Sequence, residues 1–104
     1  MALQDKYKQK LLEIINSYIP NCSIYLFGSR AVDKEFAGSD IDLAIDAGEE
    51  TSHNIILKIL NEIEETNIPM EIDLVDLQSV SDKLKNDILT KRVVWKEYNK
   101  NMKI

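Results

Sequence analysis

Short strand-like segments alternate with longer amphipathic segments along this sequence. The segments CSIYLFG, DIDLAID and MEIDLVDL are rich in apolar residues or alternate between polar and apolar residues, which is typical of β-strands. The segments between and around them carry apolar residues at helical spacing. This pattern predicts an α/β domain in two or three layers, with the element order α-β-α-β-α-β-α.

The helical spacing predicts three main helices. The first covers residues 4–18 and ends before Pro20, and the second covers TSHNIILKILNEIEET, with Thr51 or Ser52 as its N-cap. The last segment, SVSDKLKNDILTKRVVWKEYNK, is predicted to form one helix or two, capped by Ser81. Between the first two strands, SRAV is expected to open a short helix and DKEFAGS to form a loop. The expected buried stripe of the last helix consists of Leu84, Ile88 and Leu89.

Length and composition limit the class of protein. The chain has 104 residues, so we expect residues 1–104 to form a single domain. Its net charge of −5 disfavours a polynucleotide as the main partner, because affinity for nucleic acid depends on basic surface. The single cysteine, the absence of a signal-like start and the lack of a long apolar run favour a cytoplasmic protein that does not associate with membranes.

Two aspartates, Asp40 and Asp42, stand one residue apart in the second predicted strand. Residues at this spacing point to the same face of a strand, with Cα atoms about 7 Å apart. Mg²⁺ prefers oxygen ligands, and paired metal ions stabilise in-line displacement at phosphorus. The alternative is a solvated strand face with two incidental carboxylates, whose mutual repulsion would reduce stability.

A Gly28–Ser29 turn follows the first predicted strand and precedes the possible short helix. Free N–H groups at a helix N-terminus attract phosphate, and glycine lets the backbone approach a ligand closely. The serine hydroxyl adds another donor. The turn is therefore a possible phosphate-binding site, although a plain turn would have the same sequence.

A third acid, Asp73, lies in the middle of the third predicted strand. If the second and third strands are neighbours, Asp73 can face the same cations as Asp42. Glu71 shares its face and is the alternative ligand, whereas Asp76 points to the opposite face. Asp73 could instead be an edge-strand charge that deters aggregation.

The spacing of these motifs resembles the signature of the minimal nucleotidyltransferases (MNT) of the DNA polymerase β superfamily. Gly28–Ser29, a gap of ten residues and then Asp40 and Asp42 match the family pattern of Gly-Ser, ten residues and Asp-any-Asp. The flanking segments YLFGSRA and SDIDLAI also match, and the motifs extend over residues 24–76. The resemblance implies the nucleotidyltransferase fold, with a small mixed β-sheet of three core strands flanked by helices.

The resemblance also implies a reaction of the EC 2.7.7 type with ATP as the donor and two Mg²⁺ ions. Gly28 and Ser29 would bind the β- and γ-phosphates, and Arg30 would either add positive charge there or be a solvated helix residue. The acceptor hydroxyl would attack the α-phosphorus, and pyrophosphate would leave. The implied catalytic and metal-binding residues are the three carboxylates Asp40, Asp42 and Asp73.

Small members of this family are commonly encoded beside a helical HEPN-type toxin and act as antitoxins. Some transfer AMP to a tyrosine of that toxin, so the resemblance implies a protein adenylyltransferase in a hetero-oligomer with its toxin, or a homodimer. Two alternatives remain open. One is an antitoxin that neutralises its partner by complex formation without catalysis, and the other is an aminoglycoside-type, small-molecule nucleotidyltransferase.

Overall fold

Within residues 5–28 and 40–98, which the computed structural model describes, the chain forms four strands and three helices. The predicted segments SRAV and DKEFAGS lie outside these residues. The helices are α1 (Asp5–Tyr18), α2 (His53–Glu64) and α3 (Asp82–Lys91). The strands are β1 (Ser23–Phe27), β2 (Ile41–Asp46), β3 (Ile72–Asp76) and β4 (Val93–Lys96).

The four strands form one mixed sheet in the order β3-β2-β1-β4. β1 is antiparallel to both β2 and β4, whereas β2 and β3 are parallel and are connected through α2. The starts of β2 and β3 therefore meet at the end of the sheet where β1 ends. This mixed sheet with flanking helices confirms the predicted α/β fold class.

Alternating residues of the central strands supply two separate cores. One core lies beneath α1 and α2, and the other lies beneath α3, where Tyr25 and Ala44 pack against Ile88. The sheet is thus sandwiched between α1 and α2 on one face and α3 on the other, so the three-layer alternative is the observed one. The strand residues of the first core, each at most 2% exposed, are Ile24, Leu26, Ile41, Leu43 and Ile45.

The prediction that the last segment is helical throughout is wrong at its C-terminal end. α3 ends at Lys91, and Val93–Lys96 pairs with the free edge of β1 as a fourth strand. β-branched valines lose side-chain freedom in a helix and pack well on a pleated surface, which favours the strand. The described element order therefore ends in a fourth strand, in addition to the three predicted ones.

The helix caps largely follow the sequence signals. Ser52, rather than Thr51, caps α2 and accepts a hydrogen bond from the Asn54 N–H at 3.2 Å. Ser81 caps α3 as predicted, but Leu84 is 37% exposed, so its place in the buried stripe was predicted wrongly. Across the part of the chain that the structure describes, no helix combines the length and hydropathy needed to span a membrane.

Asp76, at the end of β3, is a buried carboxylate with a structural role. It is 8% exposed and accepts hydrogen bonds from the Thr51 N–H (2.6 Å), the Gln78 N–H (3.0 Å) and the Ser79 hydroxyl (3.0 Å). As expected, Asp76 lies on the sheet face opposite Asp73. Its partner on β2 is Ile45, which is buried beneath α1 and α2. Asp76 thus ties the turn after β3 to the segment that begins α2.

Asp76→Asn is expected to lower the free energy of unfolding by about 1–2 kcal/mol, because the amide replaces one accepting oxygen with a donor. Urea denaturation would measure the change. Asp87→Asn, which alters an exposed acid of α3, is the matched control and should change stability by less than about 0.5 kcal/mol. An Asp76→Asn variant as stable as the wild type would contradict the structural role.

Candidate functional site

The parallel pairing of β2 and β3 places Asp42 directly beside Asp73. Neighbouring strands lie about 4.8 Å apart, and the negative charge of Asp73 helps to raise the pKa of the Asp42 carboxyl. Glu71, the alternative to Asp73, is exposed and precedes β3, and its backbone carbonyl accepts the Ile41 N–H at 2.8 Å. Of these two acids, the structure therefore brings Asp73 to Asp42.

Gly28 adjoins the same pair because Phe27, the last residue of β1, is the strand partner of Asp42. Its φ of +78° lies in the left-handed region, which glycine adopts most readily. A Cβ atom at this position would overlap the Asp42 carboxylate and would lie 3.1 Å from its carboxyl carbon. Glycine at this position thus allows the left-handed turn and leaves room for the Asp42 carboxylate.

Of the other three predicted site residues, only Asp40 lies among the described residues. Asp40 is exposed immediately before β2, and its charge contributes to the electrostatics of Asp42. Ser29 and Arg30 lie outside the described residues, so their phosphate-binding roles stay predictions.

The surroundings of Asp42 raise the pKa of its carboxyl above the usual value for aspartate. Burial is the largest cause, followed by the negative charge of Asp73, the hydrogen bond between the two groups and the charge of Asp40. Two crowded carboxylates repel each other, and a divalent cation with a preference for oxygen ligands would relieve that repulsion. The donor chemistry of the pair therefore fits Mg²⁺.

Residues 5–28 and 40–98 contain no ready-made cluster of three histidine, cysteine or acidic side chains around one metal position. The acids predicted to bind metal are present there as the Asp42–Asp73 pair with Asp40 nearby. The three predicted ligands are thus neighbours at one end of the sheet, although they do not converge on one point.

The raised pKa of Asp42 predicts that the metal-free protein is destabilised at neutral pH. The folded state holds a proton on Asp42 more tightly than the unfolded state, in which an aspartate has a pKa of about 3.9. This carboxyl therefore reduces the free energy of unfolding as the pH rises from about 4 through the raised pKa, and the loss persists at higher pH. Asp42→Asn removes the loss, so the variant should melt at a higher temperature than the wild type at pH 8.

Thermal melts in EDTA at pH 5 and pH 8 would test this expectation. The stabilisation by Asp42→Asn should be larger at pH 8 than at pH 5, and Asp87→Asn should show no comparable dependence on pH. A variant that melts below the wild type at pH 8 would show that repulsion at Asp42 is not the dominant effect.

The structure also places a cation on the acid-bearing face that the sequence reasoning missed. Arg92 follows α3, and its guanidinium lies over the ring of Tyr25, with 4.8 Å between Cζ and the ring centroid. The sequence prediction continued the last helix past Arg92 and therefore did not place this residue beside the sheet. The valine pair that follows Arg92 was the available signal for a strand.

Comparison with known proteins gives consistent matches over most of the chain. The sequence profile of the family described as "Polymerase beta, Nucleotidyltransferase" matches residues 9–101. The protein adenylyltransferase MntA of Shewanella oneidensis is 32% identical over 95 residues, which are 89% of this chain and 68% of that protein.

Two solved structures resemble most of this chain. A crystal structure of a toxin–antitoxin with AMP-PNP has a TM-score of 0.76 at 25% identity, over 90% of this chain and 75% of the other. A re-refined structure of the tri-AMPylated Shewanella oneidensis HEPN toxin in complex with an MNT antitoxin has a TM-score of 0.71 at 26% identity, over 91% and 74% of the two chains. The profile match includes Gly28, both paired acids and β4.

Proposed function

Because the chain belongs to the Polymerase beta nucleotidyltransferase family, we propose that it is a protein adenylyltransferase that transfers AMP from ATP to a HEPN-type toxin and so acts as an antitoxin. The name of the Shewanella relative and the toxin–antitoxin complexes among the similar structures, one with AMP-PNP and one with a tri-AMPylated toxin, support this proposal. The observation that carries it is the Asp42–Asp73 pair beside Gly28. A chain that only binds its partner has no use for two repelling carboxylates held together.

The residues of the site have separate tasks in this reaction. Asp42 and Asp73, with Asp40, would hold two Mg²⁺ ions, which neutralise charge on the triphosphate when bound. The Gly28–Ser29 turn would direct backbone N–H groups at the β- and γ-phosphates, as helix N-termini do.

The chemical step is an in-line displacement at the α-phosphorus. The acceptor hydroxyl oxygen forms the new bond, the bond to the bridging oxygen breaks, and pyrophosphate leaves with that electron pair. Asp73 is exposed and is therefore accessible to an acceptor, and its negative charge favours loss of the hydroxyl proton. Most of the rate enhancement then comes from positioning and charge stabilisation.

The proposed acceptor is a tyrosine hydroxyl of the toxin, within a complex of the two chains in the cytoplasm. The similar structure of a tri-AMPylated HEPN toxin in complex with an MNT antitoxin supports the toxin as the acceptor, and the resemblance to the MNT family implies a tyrosine.

Intact-mass spectrometry of the chain with a HEPN-type toxin from the same genome, Mg²⁺ and each nucleoside triphosphate in turn would test the proposal. We expect the toxin to gain one or more AMP groups with ATP, and to gain none in EDTA or with Asp42→Asn. A stable complex without any adduct would contradict the transferase and support neutralisation by binding. An adduct on an added aminoglycoside and none on the toxin would support the small-molecule alternative.

A further inference from the structure

Arg92 lies at the end of the sheet that carries the paired acids. β4 pairs Val93 with Leu26, and Arg92 itself has extended backbone angles, φ −69° and ψ 154°. Continuing this register places Arg92 beside Phe27, whose partner on its other side is Asp42. Arg92 therefore belongs to the same transverse row of the sheet as the acid pair, on the far side of β1.

Arg92 also shares a face of the sheet with Asp42. Its guanidinium lies over the ring of Tyr25, which belongs to the core beneath α3, and Asp42 alternates onto the same side. Two strand spacings, or about 10 Å, separate the backbones of Arg92 and Asp42. The Gly28 turn lies between them, so a triphosphate held near the acids at its α-phosphate would extend across the turn toward Arg92.

Residues 5–28 and 40–98 do not use all the hydrogen-bonding capacity of this guanidinium. One terminal NH₂ group donates to the Leu89 carbonyl at 2.5 Å. The Nε–H is buried and has no hydrogen-bond partner among residues 5–28 and 40–98, and within those residues no ion pair joins Arg92 to an acid. A buried donor without a partner is costly, so this side chain gains hydrogen bonds if it turns from Tyr25 toward an anion.

We propose that Arg92 binds the terminal phosphates of the nucleoside triphosphate and stabilises the departing pyrophosphate. The planar guanidinium fits phosphate oxygens with two parallel hydrogen bonds, and cations at transferring phosphoryl groups stabilise developing charge. The inference rests on the proposed function, because only a triphosphate donor would bring an anion to this side of the turn. If Arg92 serves only to anchor α3 on Tyr25, its replacement will affect stability without any preference among nucleotides.

Calorimetric titrations of the purified chain with AMP-PNP and with AMP, both in Mg²⁺, would test this role. Arg92→Gln should weaken the affinity for AMP-PNP about 10- to 100-fold and change the affinity for AMP by less than about twofold. Lys91→Gln, which removes a neighbouring exposed cation paired with Asp87, is the matched control and should leave both affinities unchanged. Arg92→Lys, which keeps the charge but loses the planar fork, should show an intermediate loss for AMP-PNP and provides the test if Arg92→Gln does not fold.

The outcomes separate this inference from the function on which it rests. A folded Arg92→Gln variant with unchanged AMP-PNP affinity, or with equal losses for AMP-PNP and AMP, would overturn the role of Arg92. Failure of the wild type to bind AMP-PNP at all would contradict the proposed function and, with it, this inference. Parallel titrations with inorganic pyrophosphate should show the same loss as AMP-PNP if Arg92 contacts the leaving group.

Discussion

Gly28→Ala is expected to reduce the rate of AMP transfer by about 100-fold and the free energy of unfolding by about 1–3 kcal/mol. The φ of +78° forces an alanine into the left-handed region, and its Cβ would occupy the space of the Asp42 carboxylate. Asp42 would then have to move away from Asp73 or turn out of the site. The activity falls because a small displacement of a catalytic group is sufficient to lose the reactive geometry.

The variant Gly48→Ala separates the effect of backbone strain from the effect of displacing the Asp42 carboxylate. Gly48 has a φ of +84°, but no atom lies within 4 Å of a Cβ built there, at the opposite end of β2. This variant should lose about 1–2 kcal/mol of stability through backbone strain and keep transfer activity close to that of the wild type. Steady-state kinetics together with urea denaturation would measure both effects. Equal losses of activity in the two variants would show that strain, rather than displacement of Asp42, is responsible.

Asp73→Asn is expected to reduce transfer at least about 100-fold, because the site loses one of two neighbouring carboxylates that would hold Mg²⁺ and favour deprotonation of the acceptor. Glu71→Gln removes the same charge from an exposed position just before the strand and should change the rate by less than about twofold. The pairing of Asp73 with Asp42 is the physical reason for this contrast.

The rate of AMP incorporation into the toxin, measured over a series of Mg²⁺ concentrations, would test this second prediction. Circular dichroism would show whether both variants are folded. A larger loss in Glu71→Gln than in Asp73→Asn would assign the third acid to Glu71, the alternative from the sequence. Full activity in both would contradict a role for either acid.

The alternation of apolar residues was sufficient to predict β2 and β3. DIDLAID and MEIDLVDL correspond to β2 and β3 with small differences at their ends, because every second side chain must be buried against α1 and α2. The sequence predicted that Asp73 lies near Asp42 only if the second and third strands are neighbours. This proximity depends on the parallel pairing that α2 makes possible, and spacing along a chain does not encode which strands pair.

The fourth strand shows where periodicity failed. Trp95 and Tyr98 are three residues apart, which suits a helix, whereas the two valines before them suit a strand, and a segment this short cannot decide between the two. The sheet decides, because β1 has a free edge that the segment pairs with. Trp95 then packs on the core beneath α1, with the Lys8 ammonium 5.6 Å from its ring centroid. Arg92 acquires its place beside the site only through this pairing.

The position of β3 at the edge of the sheet affects how the protein loses its structure under stress. Among the described strands, β3 pairs with β2 alone, and three of its five residues are only half-buried, so it can detach in a partial opening that costs less than unfolding the central strands. Such an opening removes Asp73 from Asp42 while α1, β1 and β2 stay packed. Under the proposed function, heat or denaturant would therefore reduce AMP transfer before the helices melt.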